Sequence, residues 1–142
     1  MDVHYRWRGA VSNAALNALH AEGFGHPVRA EDVVSRLQRH SLGWVCASAD
    51  DAGLVGFVNV AWDGGTHAFL LDTLVASSHR RRGIGRALVR TAAEHAREAG
   101  CAWLHVDFET PLRDFYVRSC GFTPTAAGLV ALWAVPGEAE AR

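Results

Sequence analysis

Apolar and polar side chains alternate from Val3 to Trp7 and predict a first strand. Ser12 is placed to cap a helix over about 13–22, with Ala15, Leu16 and Leu19 on one face. Gly23, Gly25 and Pro27 end it, and a second helix is expected over about 30–40 with Val33, Val34 and Leu37 inward. The period then shortens. Residues 43–49 and 54–62 are β-rich runs joined by the turn signal Asp50-Asp51-Ala52-Gly53. Asp63-Gly64-Gly65 marks a second hairpin turn. Residues 67–76 form the next strand, carrying Phe69, Leu71, Leu74 and Val75. Beyond a polar loop, Gly83 opens a helix to about 99 whose inward face reads Ile84, Leu88, Ala92, His95 and Ala99. Gly100 stops it. A strand over 101–108, a short helix from Pro111 to about Cys120 and a last strand over 129–133 complete the pattern.

The order β-α-α-β-β-β-α-β-α-β predicts an α/β (α+β) domain over 1–135, followed by a frayed tail over 136–142. The hairpins imply antiparallel pairing. The helix between strands 67–76 and 101–108 implies a crossover and parallel pairing there. The expected architecture is a mixed, largely antiparallel central sheet flanked by helices on both faces.

Composition narrows the chemistry. The chain has 142 residues, 49% apolar and 20% charged, which is globular composition. Fourteen basic against 15 acidic residues give a net charge of −1, so no global field recruits nucleic acid or anionic lipid. Every basic residue is Arg, which excludes Schiff-base catalysis and a P-loop lysine. Cys46, Cys101 and Cys120 are too widely spaced for a zinc site and odd in number for a disulfide framework. The histidines show no HExxH-type spacing, so no metal is expected. No signal segment opens the chain and no apolar run approaches the roughly 20 residues of a membrane span, so a cytoplasmic protein is expected.

The strongest local signal is His79-Arg80-Arg81-Arg82-Gly83-Ile84-Gly85-Arg86, between a strand and a long helix. Two glycines let the backbone turn tightly and approach a ligand. First-turn amides have no intrahelical acceptor, and the dipole there favours anions, phosphate included. Arginines add bidentate donors. Three readings follow: a solvated helix start, a dinucleotide fold with Asp107 as its acidic partner, and a pyrophosphate site for another nucleotide. The dinucleotide reading fails on detail. Leu88 stands where its third glycine belongs, a basic loop separates strand from glycines, and 35 residues after Asp107 are too few for a second half-fold.

Arg80-x-x-Gly83-x-Gly85 resembles the Gln/Arg-x-x-Gly-x-Gly/Ala motif of the GNAT superfamily of acetyl-CoA-dependent N-acetyltransferases. The segment Phe115-Tyr116-Val117-Arg118-Ser119-Cys120-Gly121-Phe122 resembles that family's Phe/Leu-Tyr-x-x-x-Gly-Phe segment, in the same order and at a similar distance. The resemblance is detailed over 67–122. It implies acetyl-CoA as cosubstrate, with amides from Arg81 through Arg82, Gly83, Ile84 and Gly85 to Arg86 around the pyrophosphate and Arg80 beside it. It implies that the backbone of Leu74 and Val75 holds the pantetheine arm as if it were an added strand. It further implies strands 67–76 and 101–108 that splay apart, and Tyr116 near the thioester sulfur. Two positions depart from the family pattern. Ser77 stands where Pro is frequent, and Glu109 stands where Asn is frequent, seven residues before the tyrosine.

Acyl transfer to an amine needs a route for the amine proton, a donor to the carbonyl oxygen and help for the departing thiolate. Asp72 and Glu109 are the candidate bases. Asp72 on its strand is read either as projecting into the cleft or as a polar residue satisfied by backbone. Glu109 is read either as facing the amine or as an acid at a helix N-terminus. His67 and Asn59 read as turn and sheet-edge residues, and His105 as a partly buried core histidine. The five tryptophans read as core or cleft wall, and Cys120 as a buried small residue. The expected activity is direct acetyl transfer in a ternary complex to a small-molecule or protein amine. No motif specifies a homodimer, though one is compatible with the sequence. A non-catalytic acyl-CoA sensor keeps the glycine loop without needing Tyr116. An RNA-binding reading of Arg80-Arg81-Arg82 lacks any wider basic or aromatic pattern.

Overall fold

The computed structural model describes residues 2–134, and the tail expected at 136–142 lies outside the described residues. The chain falls into two compact units, one ending at Asp107 and one starting at Phe108.

The first unit is a five-stranded sheet in the order β1-β2-β3-β4-β5. Its strands are β1 (Val3–Trp7), β2 (Ser41–Ala49), β3 (Gly53–Trp62), β4 (His67–Val75) and β5 (Trp103–Val106). The first three pairings are antiparallel; short turns join β2 to β3 and β3 to β4, while the longer connection through α1 (Asn13–Phe24) and α2 (Val33–His40) returns β1 to β2. The β4–β5 pairing is parallel, and α3 (Ile84–Glu98) makes the connection. The largely antiparallel mixed sheet is thus as expected. Strand and helix bounds mostly differ from the sequence reading by a residue or two, as fraying ends do. The larger shortfalls are α2, which starts three residues late, and β5, which keeps four residues of the expected eight.

Alternation along the strands divides the core between two faces. On one, Trp44, Cys46, Phe57 and Leu74 pack with Leu16 and Leu19 of α1 (Asn13–Phe24) and Leu37 of α2 (Val33–His40). On the other, Ala47 and Gly56 lie beneath Ile84 and Leu88 of α3. Ser12 caps α1 as expected, its hydroxyl accepting from the Ala15 amide at 3.1 Å. The cap of α2 is Asp32, in keeping with its later start, with Oδ1 3.2 Å from the Ser35 amide. Asn17 is buried and ties α1 to the connection before α2. Its side-chain amide donates to the Glu31 carbonyl at 2.9 Å and accepts from the Glu31 amide at 3.4 Å.

Local expectations fail at several positions in this unit. His95 is half-buried rather than core, and its ring lies flat on Trp7 with centroids 4.5 Å apart. Ala99 is exposed, and Val89 and Ala96 complete the buried face of α3, because a 3.6-residue period drifts across four turns. His105 is exposed, on the sheet face opposite α3, where its ring stacks on Phe69.

The second unit holds a 3₁₀ turn (Thr110–Leu112) and a π turn (Phe115–Ser119). Four residues separate Tyr116 from Gly121, one more than the family segment allows, and the π turn takes up the extra residue. The Cys120 amide reaches back five residues to the Phe115 carbonyl at 3.0 Å. The strand expected over 129–133 is not formed. Leu129, Val130, Leu132 and Trp133 are exposed, and among the described residues no neighbouring strand pairs with them. β-propensity is realised only against a partner strand. Trp103 of β5 is likewise exposed rather than core.

Candidate active site

The β4–β5 ladder runs from His67↔Trp103 to Leu70↔Val106 and stops there, so among the described residues the remainder of β4 has no strand partner on that side. This is the splaying expected of strands 67–76 and 101–108. At the same point β4 carries a bulge. Phe57 pairs with Leu74 and Asn59 with Leu71, leaving Asp72 and Thr73 opposite Val58 alone. Asp72 takes a left-handed conformation, φ 54°, which aspartate tolerates better than most residues. The extra residue reverses the alternation. Leu70 keeps the register of the α3 face, whereas Leu74 is buried against α1. Asp72 thereby lines a cavity with Leu16, Asn17, His20 and Leu74. The bulge, rather than strict strand alternation, sets the direction of Asp72.

After Val75 the chain makes a 3₁₀ turn (Ser77–His79), passes Arg81 at φ 64° and reaches Gly83 at φ 78°, the N-cap of α3. Among the described residues no side chain caps this helix, which leaves its first amides for another acceptor. Successive backbone N–H groups around left-handed residues form an anion-binding concavity. Arg80, Arg81, Arg82 and Arg86 are all exposed around it. The Arg80 guanidinium also donates to the Val75 carbonyl at 3.4 Å, linking loop and strand end. An uncapped N-terminus, a glycine with open space where a Cβ would stand and a ring of guanidinium groups fit a pyrophosphate. The unpaired end of β4, with Leu74 buried and Val75 half-buried, fits an extended amide-bearing arm.

A tie that the sequence reading missed holds this loop to α1. Glu22 accepts from the Ser77 amide at 2.7 Å and from the Ser77 hydroxyl. Proline, frequent at this position in the family, has no amide hydrogen to offer. The two Ser77 bonds, hydroxyl first, hold the Glu22 carboxyl below its ordinary value of 4.5. A carboxyl depressed on folding adds stability above its unfolded value and loses it as pH falls through the folded value. Acidification below about pH 4.5 should therefore destabilise the wild type more than Glu22→Gln. Urea unfolding across that range measures it; parallel pH profiles would remove the carboxylate from the tie.

His67 Nδ1 lies 2.8 Å from His105 Nε2, and the His67 amide donates to Asp63 at the turn, so both histidines belong to an exposed sheet end. Among the described residues no cluster of three or more His, Cys, Asp or Glu could hold a metal, and no helix is long and apolar enough to cross a membrane. Burial pushes the Cys46 thiol up to about 11, which makes it inert.

In the second unit Tyr116 is buried, its ring stacked on Phe108 at 5.2 Å and edge-on to Phe115 and Phe122. The Phe122 amide donates to the Tyr116 carbonyl at 3.0 Å. Glu109 is exposed and caps the 3₁₀ turn through its backbone only. Cys120 is half-buried rather than buried.

This fold superposes on the solved structure of AAC(6')-Iy in complex with the bisubstrate analogue CoA-S-monomethyl-acetylneamine. The TM-score is 0.73 at 20% identity, covering 95% of this chain and 100% of that one. The acetyltransferase (GNAT) family matches residues 13–122, and the chain belongs to that family. Streptothricin acetyltransferase of Streptomyces lavendulae is 42% identical over 79 residues, 54% of this chain and 41% of that protein. N-acetyltransferase 8 of Homo sapiens is 34% identical over 104 residues, 68% of this chain and 45% of that protein. The chain thus spans under half the length of these relatives.

Proposed function

We propose that the chain is an N-acetyltransferase, with residues 1–135 acting as one catalytic domain that moves an acetyl group from acetyl-CoA to an amine by direct attack in a ternary complex. The observation that carries this reading is the parting of β4 from β5 after Leu70, beside the uncapped, arginine-ringed start of α3. Acetyl-CoA supplies an activated acetyl thioester. The amides from Arg81 to Arg86 and the Arg80 to Arg82 guanidinium groups hold the pyrophosphate. The Leu74 and Val75 backbone extends the sheet to the pantetheine arm. Asp72, at the bulge where the strands part, faces the amine and receives its proton. Tyr116 donates to the departing sulfur, and Glu109 faces the acceptor. Family membership, together with relatives named for acetylating streptothricin and, among solved structures, one bound to an acetylneamine analogue, supports an amine acceptor.

Thermal unfolding with CoA, acetyl-CoA or NAD tests the cofactor. CoA at a hundred times its dissociation constant should add about 2.7 kcal/mol, and NAD much less. Gly85→Val should weaken that stabilisation, because its side chain would obstruct the phosphates, while helix content stays largely intact. Equal stabilisation by NAD would overturn the assignment of the loop. Thiol release from acetyl-CoA with streptothricin, glucosamine 6-phosphate and neamine tests the transfer. CoA binding without release on any amine would favour a sensor.

A further inference from the structure

One cluster of titratable groups goes beyond these roles. His26 Nδ1 is 2.7 Å from the Pro27 carbonyl, which can only accept, so Nδ1 carries a hydrogen. His26 Nε2 is 2.6 Å from His20 Nδ1, so one hydrogen lies between the two rings. When both imidazoles are neutral that hydrogen belongs to His20 Nδ1, and His20 Nε2 is a bare lone pair. That lone pair is 3.7 Å from Asp72 Oδ1, another acceptor. The hydrogen-bonded array Pro27–His26–His20 therefore ends at a bare nitrogen that faces Asp72 across 3.7 Å, an ion-pair distance rather than a hydrogen bond. A single added proton, whether the cation is drawn on His20 or on His26, turns that contact into a charge pair with Asp72.

We propose that His20 stores the proton taken from the acceptor amine, with His26 as the residue that fixes its tautomer and Asp72 as the entry. This rests on the acetyl-transfer reading above. His20 and Asp72 are each about one-third exposed, so the array meets both the cavity and solvent. The cavity leaves about 20 Å³, room for a single water at roughly 10–15 Å³, so the proton arrives directly or through one water. The other charged groups facing the array are Arg29 and Glu31 of the connection and Arg36 of α2, with Arg36 3.6 Å from Glu31. Phe57 of β3 and Leu16 of α1 add only apolar walls.

The balance closes. An N–H bond of the ammonium breaks, its proton goes to the array, and the freed electron pair forms the bond to the acetyl carbon. The carbon–sulfur bond breaks, and a second N–H proton matches the one gained by the thiolate. The stored proton returns to solvent after the products leave.

Imidazole nitrogen NMR of the ¹⁵N-labelled full chain reads the array without any substrate. Expected is one proton shared by His20 and His26 and taken up in a single step, with the His20 signals displaced in Asp72→Asn. Asparagine keeps the left-handed backbone and removes the charge. Two independent single-site titrations, or no movement in Asp72→Asn, overturn the proposal. With whichever of streptothricin, glucosamine 6-phosphate or neamine turns over, His20→Gln should lower kcat/KM about 10²-fold and move its acid limb to lower pH, leaving the KM for acetyl-CoA unchanged. An unmoved acid limb also overturns it. If the wild type turns over none of them, the acetyl-transfer reading fails for those amines, while the NMR result still decides the array. If His20→Gln does not fold, the wild-type and Asp72→Asn spectra decide alone.

Discussion

Gly56→Val is expected to unfold at lower urea and to lose CoA affinity together. A Cβ at Gly56 would stand 3.0 Å from Ile84 Cγ2, 3.0 Å from Leu88 Cδ1 and 3.1 Å from Ala47 Cβ. Ile84 and Leu88 are buried in the first turns of α3, so none of these neighbours is the free end of a flexible chain. Valine adds two further methyl groups to that contact. Overpacking of this kind costs roughly 1–3 kcal/mol, and a domain of this size loses roughly 2–4 °C of Tm per kcal/mol. The strain is relieved by moving the start of α3 away from the sheet. That start carries the amides assigned to the pyrophosphate, so CoA affinity should fall about tenfold or more, in line with the precision that anchored anion sites need. Gly56→Ala should show a smaller version of both effects. Urea unfolding and calorimetric titration with CoA check them. Lost stability with unchanged CoA affinity would separate the placement of α3 from cofactor binding.

Gly56 also shows what the sequence could and could not disclose. Its strand was legible from the alternation over 54–62, and its hairpin from Asp50-Asp51-Ala52-Gly53, because period and turn chemistry are local. The need for glycine at that one position is not local: it arises from α3, nearly thirty residues later, pressing on the sheet. The same division runs through the site. The glycine loop stood out because its chemistry is contiguous: Arg80 to Arg86 holds the amides, the turn and the cations in one stretch. The strand parting was implied by resemblance and is present at Leu70.

The bulge was invisible. Leu71, Asp72, Thr73 and Leu74 read as ordinary strand, and only the register against β3 shows that two of them oppose Val58 alone. His20 and His26 were equally invisible, since one lies on a helix, the other in a connection, and their partner Asp72 is far along the chain. Glu22 had no signal beyond its place near the end of α1, although Ser77 in a position where Pro is frequent was a trace of it. The strand expected over 129–133 misled for the opposite reason: an apolar run carries strand propensity wherever it falls, and pairing decides whether it is used.

Tyr116→Phe is expected to lower kcat about 10²-fold or more, with acetyl-CoA affinity little changed. A phenol near pKa 10 is protonated at neutral pH and can donate to a departing thiolate whose reference value is near 8.5. Full transfer on those values is uphill by roughly 2 kcal/mol, a deficit that a hydrogen bond to sulfur reduces. The extra residue before Gly121 makes this assignment sharper. Counting back from Gly121 with the family's three intervening residues would put Val117 in the tyrosine's place. The π turn over Phe115–Ser119 takes up the surplus residue, with the Cys120 amide bonded to the Phe115 carbonyl, and among the residues at the two possible spacings only Tyr116 carries a hydroxyl. Its buried ring, held by Phe108, Phe115 and Phe122, is equally suited to packing. Phenylalanine preserves that ring and removes only the hydroxyl, so the substitution separates packing from proton donation. Single-turnover and steady-state rates with the best amine of the panel measure it, and Tm serves as the control for packing. An unchanged kcat, with the chemical step shown to limit the rate, would leave Tyr116 a packing residue and thiolate departure to water.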